Sequence, residues 1–162
     1  MANIGERLAQ PEASWRRYDD SIGLIQYEGT WQSNMPNASS WMGTRHISSN
    51  LPDKVIKFVF KGTKLRLLVN SASNRSENST ISIDGEIHTF SSRFTTTLTI
   101  APTRLAFEKT DLVNDYHTVI ISDTTTDYID IDAIDIDEDG ELVRYDYLDN
   151  LDTPELIRKY GL

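Results

Sequence analysis

The sequence contains no cysteine. That excludes a disulfide-stapled scaffold, a thiol nucleophile and any thiolate zinc site. Long apolar runs are missing too, and nothing approaches the roughly 18 residues that a membrane span needs. The first stretch, MANIGERLAQPEASW, lacks the apolar heart of a secretory signal. An extracellular life would therefore need another export route or assembly into a particle. No Gly-x-Ser-x-Gly elbow, Walker loop or dinucleotide glycine fingerprint occurs. The histidines are His46, His88 and His117. They lie among Thr, Ile and Arg, and read as satisfied surface imidazoles rather than catalytic bases.

What is present is one domain's worth of chain: 162 residues, 38% hydrophobic and 25% charged. That suffices for a core and argues against disorder. Ser, Thr and Asn supply 40 of the 162 residues, which favours strands and turns over a helical bundle. The net charge of −9 is unevenly spread. Residues 1–110 carry +3, whereas residues 111–162 carry −12. Such an acidic segment repels phosphate backbones, so nucleic acid and membrane insertion are poor expectations.

Period-2 patterning runs from residue 24 to 137. In Lys54 to Phe60 the alternation puts Ile56, Phe58 and Phe60 on one face, which predicts that they enter the core. Lys64 to Val69 is the expected partner strand. Asp84-Gly85 between two alternating runs is a type I′ hairpin signal. Phe94 to Ile100, Leu105 to Glu108, His117 to Ser122 and Tyr128 to Ile136 complete nine or ten short strands, as in an antiparallel sandwich. The last strand breaks its own pattern. Ile129, Ile131 and Ala133 share one face, while Ile134 and Ile136 fall on the other. A bulge near Ala133, or cover on both faces, resolves that conflict. Residues 141–152 read as a linker. Thr153, Pro154 and Glu155, with Gly161 beyond, give start and stop signals for a short helix over 154–160.

Two stretches carry possible chemistry. Asp135, Asp137 and Asp139, followed by Gly140 and with Asp146 at the twelfth place, fit part of a calcium-loop template. The alternative for the same residues is an acidic turn after the last strand. Trp41 follows a polar loop, where an indole beside amides and hydroxyls suits the apolar C–H face of a sugar. Packing against its own domain is the competing reading of Trp41. Trp31, two steps from Tyr27 in alternation, belongs to the core.

Several stretches also resemble a known group when taken in order. They are Trp15-Arg-Arg-Tyr-Asp-Asp20, Ile25-Gln-Tyr-Glu-Gly-Thr-Trp31, Trp41-Met-Gly-Thr-Arg-His46 and Phe60-Lys-Gly-Thr-Lys-Leu-Arg66. Ile81-Ser-Ile-Asp-Gly85, Phe107-Glu-Lys109, His117-Thr-Val119 and Asp130-Ile-Asp-Ala-Ile-Asp135 follow. The set resembles the galactose-binding-domain-like jelly rolls, in particular modules related to carbohydrate-binding families 6 and 35 in tail and surface proteins of phages of Gram-positive bacteria. The resemblance implies an all-β, antiparallel jelly-roll sandwich over residues 15–139, with an arm at 1–14 and a linker and short helix at 140–162. It implies no catalytic centre. The ligand-binding residues would be Trp41, Asn70, Asn74, Arg75 and Tyr128, presented to a cell-surface polysaccharide or other glycan. No clear acidic residue on a first strand matches the structural calcium site usual in such modules. No cofactor is required, and the remaining expectation for calcium is the loop of Asp135, Asp137 and Asp139. The place of action implied is a virion or a cell surface. The second reading is a virion assembly protein using the sandwich for homo-oligomer contacts, and the third a small glycan-active enzyme.

Overall fold

The computed structural model describes residues 2–32, 39–94 and 99–146. The helix expected at 154–160 lies outside them. Among the described residues there are twelve strands: β1 (Trp15–Asp19), β2 (Gln26–Glu28), β3 (Trp31–Gln32), β4 (His46–Ser48), β5 (Lys54–Gly62) and β6 (Leu65–Ser71), then β7 (Ser79–Ile83), β8 (Glu86–Phe90), β9 (Ala101–Lys109), β10 (Asp115–Asp123), β11 (Asp130–Asp137) and β12 (Glu141–Val143). A single turn of 3-10 helix, Trp41–Gly43, precedes β4.

The strands form two antiparallel sheets. The first has the order β3-β4-β11-β6-β9, with β1 also paired to β11; the second has the order β12-β5-β10-β7-β8, with β2 also paired to β5. This is an all-β jelly-roll sandwich. Between the sheets lie Ile56, Phe58, Phe60, Leu65, Leu67, Ile81, Ile83, Val119 and Ile121, all buried as their alternation predicts. Each contributes roughly 1.5–3 kcal/mol through burial. The β7–β8 hairpin turns on Asp84 (φ 53°) and Gly85 (φ 88°), both left-handed as a type I′ turn demands.

The conflict in β11 is resolved by both devices at once. Its register to β6 slips between Ile131 and Ala133. Ile129, Ile131, Ile134 and Ile136 thereby all reach the main core. Ala133 turns instead to the outer face of the first sheet, where it packs with Ala2, Leu8, Leu68 and Leu105.

Three expectations need correction. Residues 141–143, read as linker, form β12, where Leu142 pairs with Phe60 and is buried. The strand expected from Leu105 starts at Ala101 instead, with Pro102 inside β9. That strand is the edge of its sheet, where a missing N–H costs little, and the following Thr103 takes φ 53° at the irregularity. The stretch from Phe94 to Ile100 joins no strand at Phe94, Thr99 or Ile100, and residues 95–98 lie outside the described set.

The chain before β1 is integral to the sandwich. Gly5 N–H donates to Leu105 C=O at 2.8 Å, Leu105 N–H to Glu6 C=O at 2.9 Å and Leu8 N–H to Thr103 C=O at 2.9 Å. These bonds add a short extra strand to the β9 edge. Leu8 then tucks onto the outer face, and its carbonyl accepts from Arg17 Nη1 at 2.7 Å.

Candidate functional site

The start of β11 and the end of β6 meet at one end of the sandwich. Asp130 is the organising group there. Its carboxylate accepts from Arg45 Nη1 at 2.6 Å, Arg75 Nη2 at 2.5 Å and Asn70 Nδ2 at 3.0 Å. Asn70 in turn takes Ser40 Oγ at 2.9 Å and Thr103 N–H at 3.3 Å on its amide oxygen. Arg75 also donates to Asn74 Oδ1 and to the Asn70 carbonyl. Backbone bonds between Asn74, Ser76 and Tyr128 join the two loops.

Four of the five residues expected to touch ligand, Asn70, Asn74, Arg75 and Tyr128, thus share one end of the fold but not one exposure, whereas the Trp41 ring lies on the outer face of the first sheet. Asn74 is exposed and Tyr128 half-buried. Asn70 and Arg75 are buried, at 0% and 3% exposure. Their placement as surface contacts is corrected: the Arg75 ion pair and the Asn70 amide hydrogen bond to Asp130 draw them inward, because a buried carboxylate needs its lone pairs met. They shape the loops that carry Asn74 and Tyr128. Trp41 is half-buried rather than held out on a loop tip. It packs on the Leu68, Leu105 and Ala133 cluster, with Arg17 Cζ 5.0 Å from the ring centre.

Beneath the Trp41 turn lies an acidic cluster. Among the described residues, Asp19, Asp20 and Asp132 are the one group of metal-ligating side chains whose ligand atoms all fall within 4.8 Å of one another. Trp41 N–H donates to Asp132 at 3.0 Å, Thr103 Oγ1 donates to it at 2.6 Å, and Thr44 Oγ1 reaches both Asp19 and Asp20. Burial pushes the Asp132 carboxyl up to about 7 against its two hydrogen bonds, with Asp20 and Asp130 adding repulsion. Burial likewise raises Asp20 to about 6, opposed by His46 and assisted by Asp19. Asp19 Oδ1 is buried without a hydrogen-bond partner. Crowded carboxylates with an orphaned oxygen fit a hard cation with oxygen preference. Such an ion would neutralise the cluster and fix the Trp41 turn.

The carboxylates of the expected calcium loop have separate surroundings. Asp135 is locked in a two-pronged pair with Arg17, at 2.6 and 2.9 Å. Asp137 accepts from Thr63 N–H, Thr63 Oγ1 and Lys64 N–H. Burial disfavours its charge, but those bonds prevail and hold its carboxyl below the usual range. Asp139 is exposed.

Sequence reasoning placed the histidines at the surface, whereas His46 and His117 are buried. His46 Nδ1 faces Asp20 at 2.7 Å, and its ring stacks on Tyr27 with centres 3.8 Å apart. His117 sits between Asp84 and the carbonyls of Gly62 and Val113. The acids that pair them lie 26 and 33 residues away, and no local pattern links such partners.

The sequence matches no protein-family model and no curated protein. Solved structures do match. A family 35 carbohydrate-binding module from Cellvibrio japonicus superposes with a TM-score of 0.58 at 17% identity, covering 81% of this chain and 99% of the module. A second family 35 module, solved with a disaccharide containing glucuronic acid, gives 0.55 at 16% identity, covering 79% of this chain and 97% of the module. A family two carbohydrate esterase from Cellvibrio japonicus gives 0.56 at 13% identity over 80% of this chain, which spans 35% of the esterase's length. At these identities the likeness defines the fold: the jelly roll of the family 35 modules.

Proposed function

We propose that the chain is a non-catalytic carbohydrate-binding module, borne by a phage tail or bacterial surface protein and adhering to cell-surface glycan. One observation carries the reading most of the way. The chain is nearly coextensive with single carbohydrate-binding modules, covering 99% and 97% of two of them, but only 35% of an esterase. The loop end supports it with an exposed amide and a phenol, Asn74 and Tyr128, and the outer face of the first sheet adds a half-buried indole, Trp41. The indole edge offers an apolar wall, and the amide and phenol supply both donors and acceptors for hydroxyls. Asp130, Arg75 and Asn70 stiffen this frame, which lowers the ordering cost of binding.

A shallow site of this kind binds weakly, with Kd on the order of 10 µM to 1 mM, and multivalency on a particle would raise avidity by roughly 10²–10⁴. The test is calorimetric titration with mannopentaose, a glucuronic-acid-containing disaccharide and bacterial cell-wall polysaccharide. Binding that is abolished in Trp41→Ala and changes little between 50 and 300 mM salt supports the proposal. No binding to any of them, alongside a concentration-independent oligomer, supports the assembly reading instead.

A further inference from the structure

We propose that two copies of this chain pair edge to edge through β8, in an antiparallel register centred on Ile87. The pairing is independent of the carbohydrate-binding reading. The two sheets end unequally. β3 has two residues and β12 three, which are poor templates for another strand. β9 is longer, but residues 5–8 lie along its edge. β8 keeps five residues in unbroken register with β7, from Ile83 opposite Glu86 to Ser79 opposite Phe90. Among the described residues no strand lies on its other side. It carries no proline, lysine or bulge, the usual guards of such an edge.

The ladder fixes which groups face outward. The two-residue turn at Asp84-Gly85 makes Ile83 and Glu86 a hydrogen-bonded pair, so His88 and Phe90 bond to β7 as well. The N–H and C=O of Ile87 and Thr89 therefore point away from the sheet. Ile87 is 69% exposed there, a large apolar side chain on a bare edge. On the opposite face an open hollow of about 420 Å³ borders Thr89 and Phe90, with Ile4, Ala106 and Phe107 in its lining. A strand laid along β8 would cover Ile87 on one face and part of this hollow on the other.

Charge selects a second copy as that strand. A two-fold axis at Ile87 sets Ile87 against Ile87 as a hydrogen-bonded pair. It also sets Glu86 opposite His88 of the other copy, twice, in the closely spaced pairs. His88 Nε2 lacks an acceptor of its own: it is buried without a hydrogen bond, 3.3 Å from Glu86 of the same chain. The Glu86 side chain is well exposed, so it is placed to reach across. Centring on His88 instead would add two backbone bonds, but it sets imidazole against imidazole and Glu86 against Phe90. Five residues from each copy make a small interface, below the ~1,200 Å² of standard ones, and a Kd on the order of 100 µM is expected. The loop ends then face opposite ways. Ser92 N–H bonds to Ser76 C=O and Ser76 N–H to Tyr128 C=O, which places the Asn74–Tyr128 loops beyond the Phe90 end of β8.

The test is sedimentation velocity on the full chain from 5 µM to 1 mM, with ¹H–¹⁵N spectra over the same range. The expected result is a concentration-dependent dimer, with the amide signals of Ile87 and Thr89 among those that move. Ile87→Lys should weaken association about tenfold, and Glu86→Lys or His88→Glu alone about fivefold. Glu86→Lys combined with His88→Glu restores opposite charges and should return association to wild-type strength. Thermal unfolding at 5 µM, where the chain is monomeric, confirms that each variant is folded. A monomer at 1 mM overturns the proposal and leaves the edge to a strand of another protein. A dimer indifferent to Ile87→Lys overturns it too, since the contact then lies elsewhere. A double variant as weak as the single ones overturns the register centred on Ile87. Glycan titration at 5 µM judges the carbohydrate-binding reading separately, because the loop ends stay outside the contact.

Discussion

Acidification should stabilise this protein over a range in which most carboxylate-rich folds change little. The responsible groups are Asp132, raised by burial to about 7, and Asp20, raised to about 6, from an ordinary 3.8. Between those values and 3.8 the folded state holds protons that the unfolded chain has lost. Stability therefore rises as pH falls from 8 toward 5 and is fully gained near 4. At ~1.4 kcal/mol per pH unit, the drop from pH 8 to 5 is worth about 3 kcal/mol through Asp132 and about 1 through Asp20. The two acids interact, so the sum is an upper bound. Asp132 alone corresponds to a rise in Tm of roughly 6–12 °C for a domain of this size. Below about pH 4 the trend reverses, because Asp123 and Asp137 are held below their ordinary range by hydrogen bonds that outweigh their burial. The assay is thermal unfolding followed by circular dichroism, in EDTA, from pH 8 to 4. Asp132→Asn is the decisive variant. Its amide can accept from Trp41 N–H and donate to Thr103 Oγ1, in place of the protonated acid. It should exceed the wild type at pH 8 and lose most of the acid-dependent gain. A wild-type Tm that falls steadily from pH 8 to 5, or an Asp132→Asn protein less stable than wild type at pH 8, would refute the reasoning.

Two further outcomes are expected. Millimolar calcium should raise Tm at pH 8 by coordinating Asp19, Asp20 and Asp132, with the gain shrinking by pH 5 as protons compete; an unchanged Tm at pH 8 would show that the orphaned Asp19 oxygen has no cation to serve. Leu8→Ala should cost about 2–3 kcal/mol in urea unfolding, since Leu8 is buried against Leu68, Leu105 and Ala133, and a loss below about 0.5 kcal/mol would mean that the chain before β1 is only loosely laid down.

Local pattern made the sandwich readable. The alternation in β5, the Asp84-Gly85 turn and the conflicting isoleucines of β11 each announced a feature that the structure contains. Where a feature depended on partners distant in the chain, the sequence was mute. Arg17 meets Asp135 across 118 residues. Asn70, at the end of β6, and Arg75, in the polar stretch beyond it, carry no local sign of burial, yet Asp130, 60 and 55 residues on, takes both inside. His46 had the same fate with Asp20. Side-chain burial in a two-sheet fold follows from strand order, and period-2 patterning does not encode which strands become neighbours. The stretch at 1–14 was invisible for a further reason. It has no alternation of its own, because it borrows hydrogen bonds from β9 and apolar contacts from the bulged face of β11.

That borrowed strand bears on how the module can be cut and joined. β9 ends the first sheet, and residues 5–8 occupy the peptide groups of Thr103 and Leu105 that would otherwise face solvent. A chain trimmed to begin at β1 would retain every strand of the sandwich yet bare an edge beside an uncovered patch of Leu68, Leu105 and Ala133. Bare edges of that kind recruit strands from other molecules. The practical boundary of the folding unit therefore lies at the start of the arm, and a fragment beginning at residue 15 would be prone to self-association that could pass for a native oligomer.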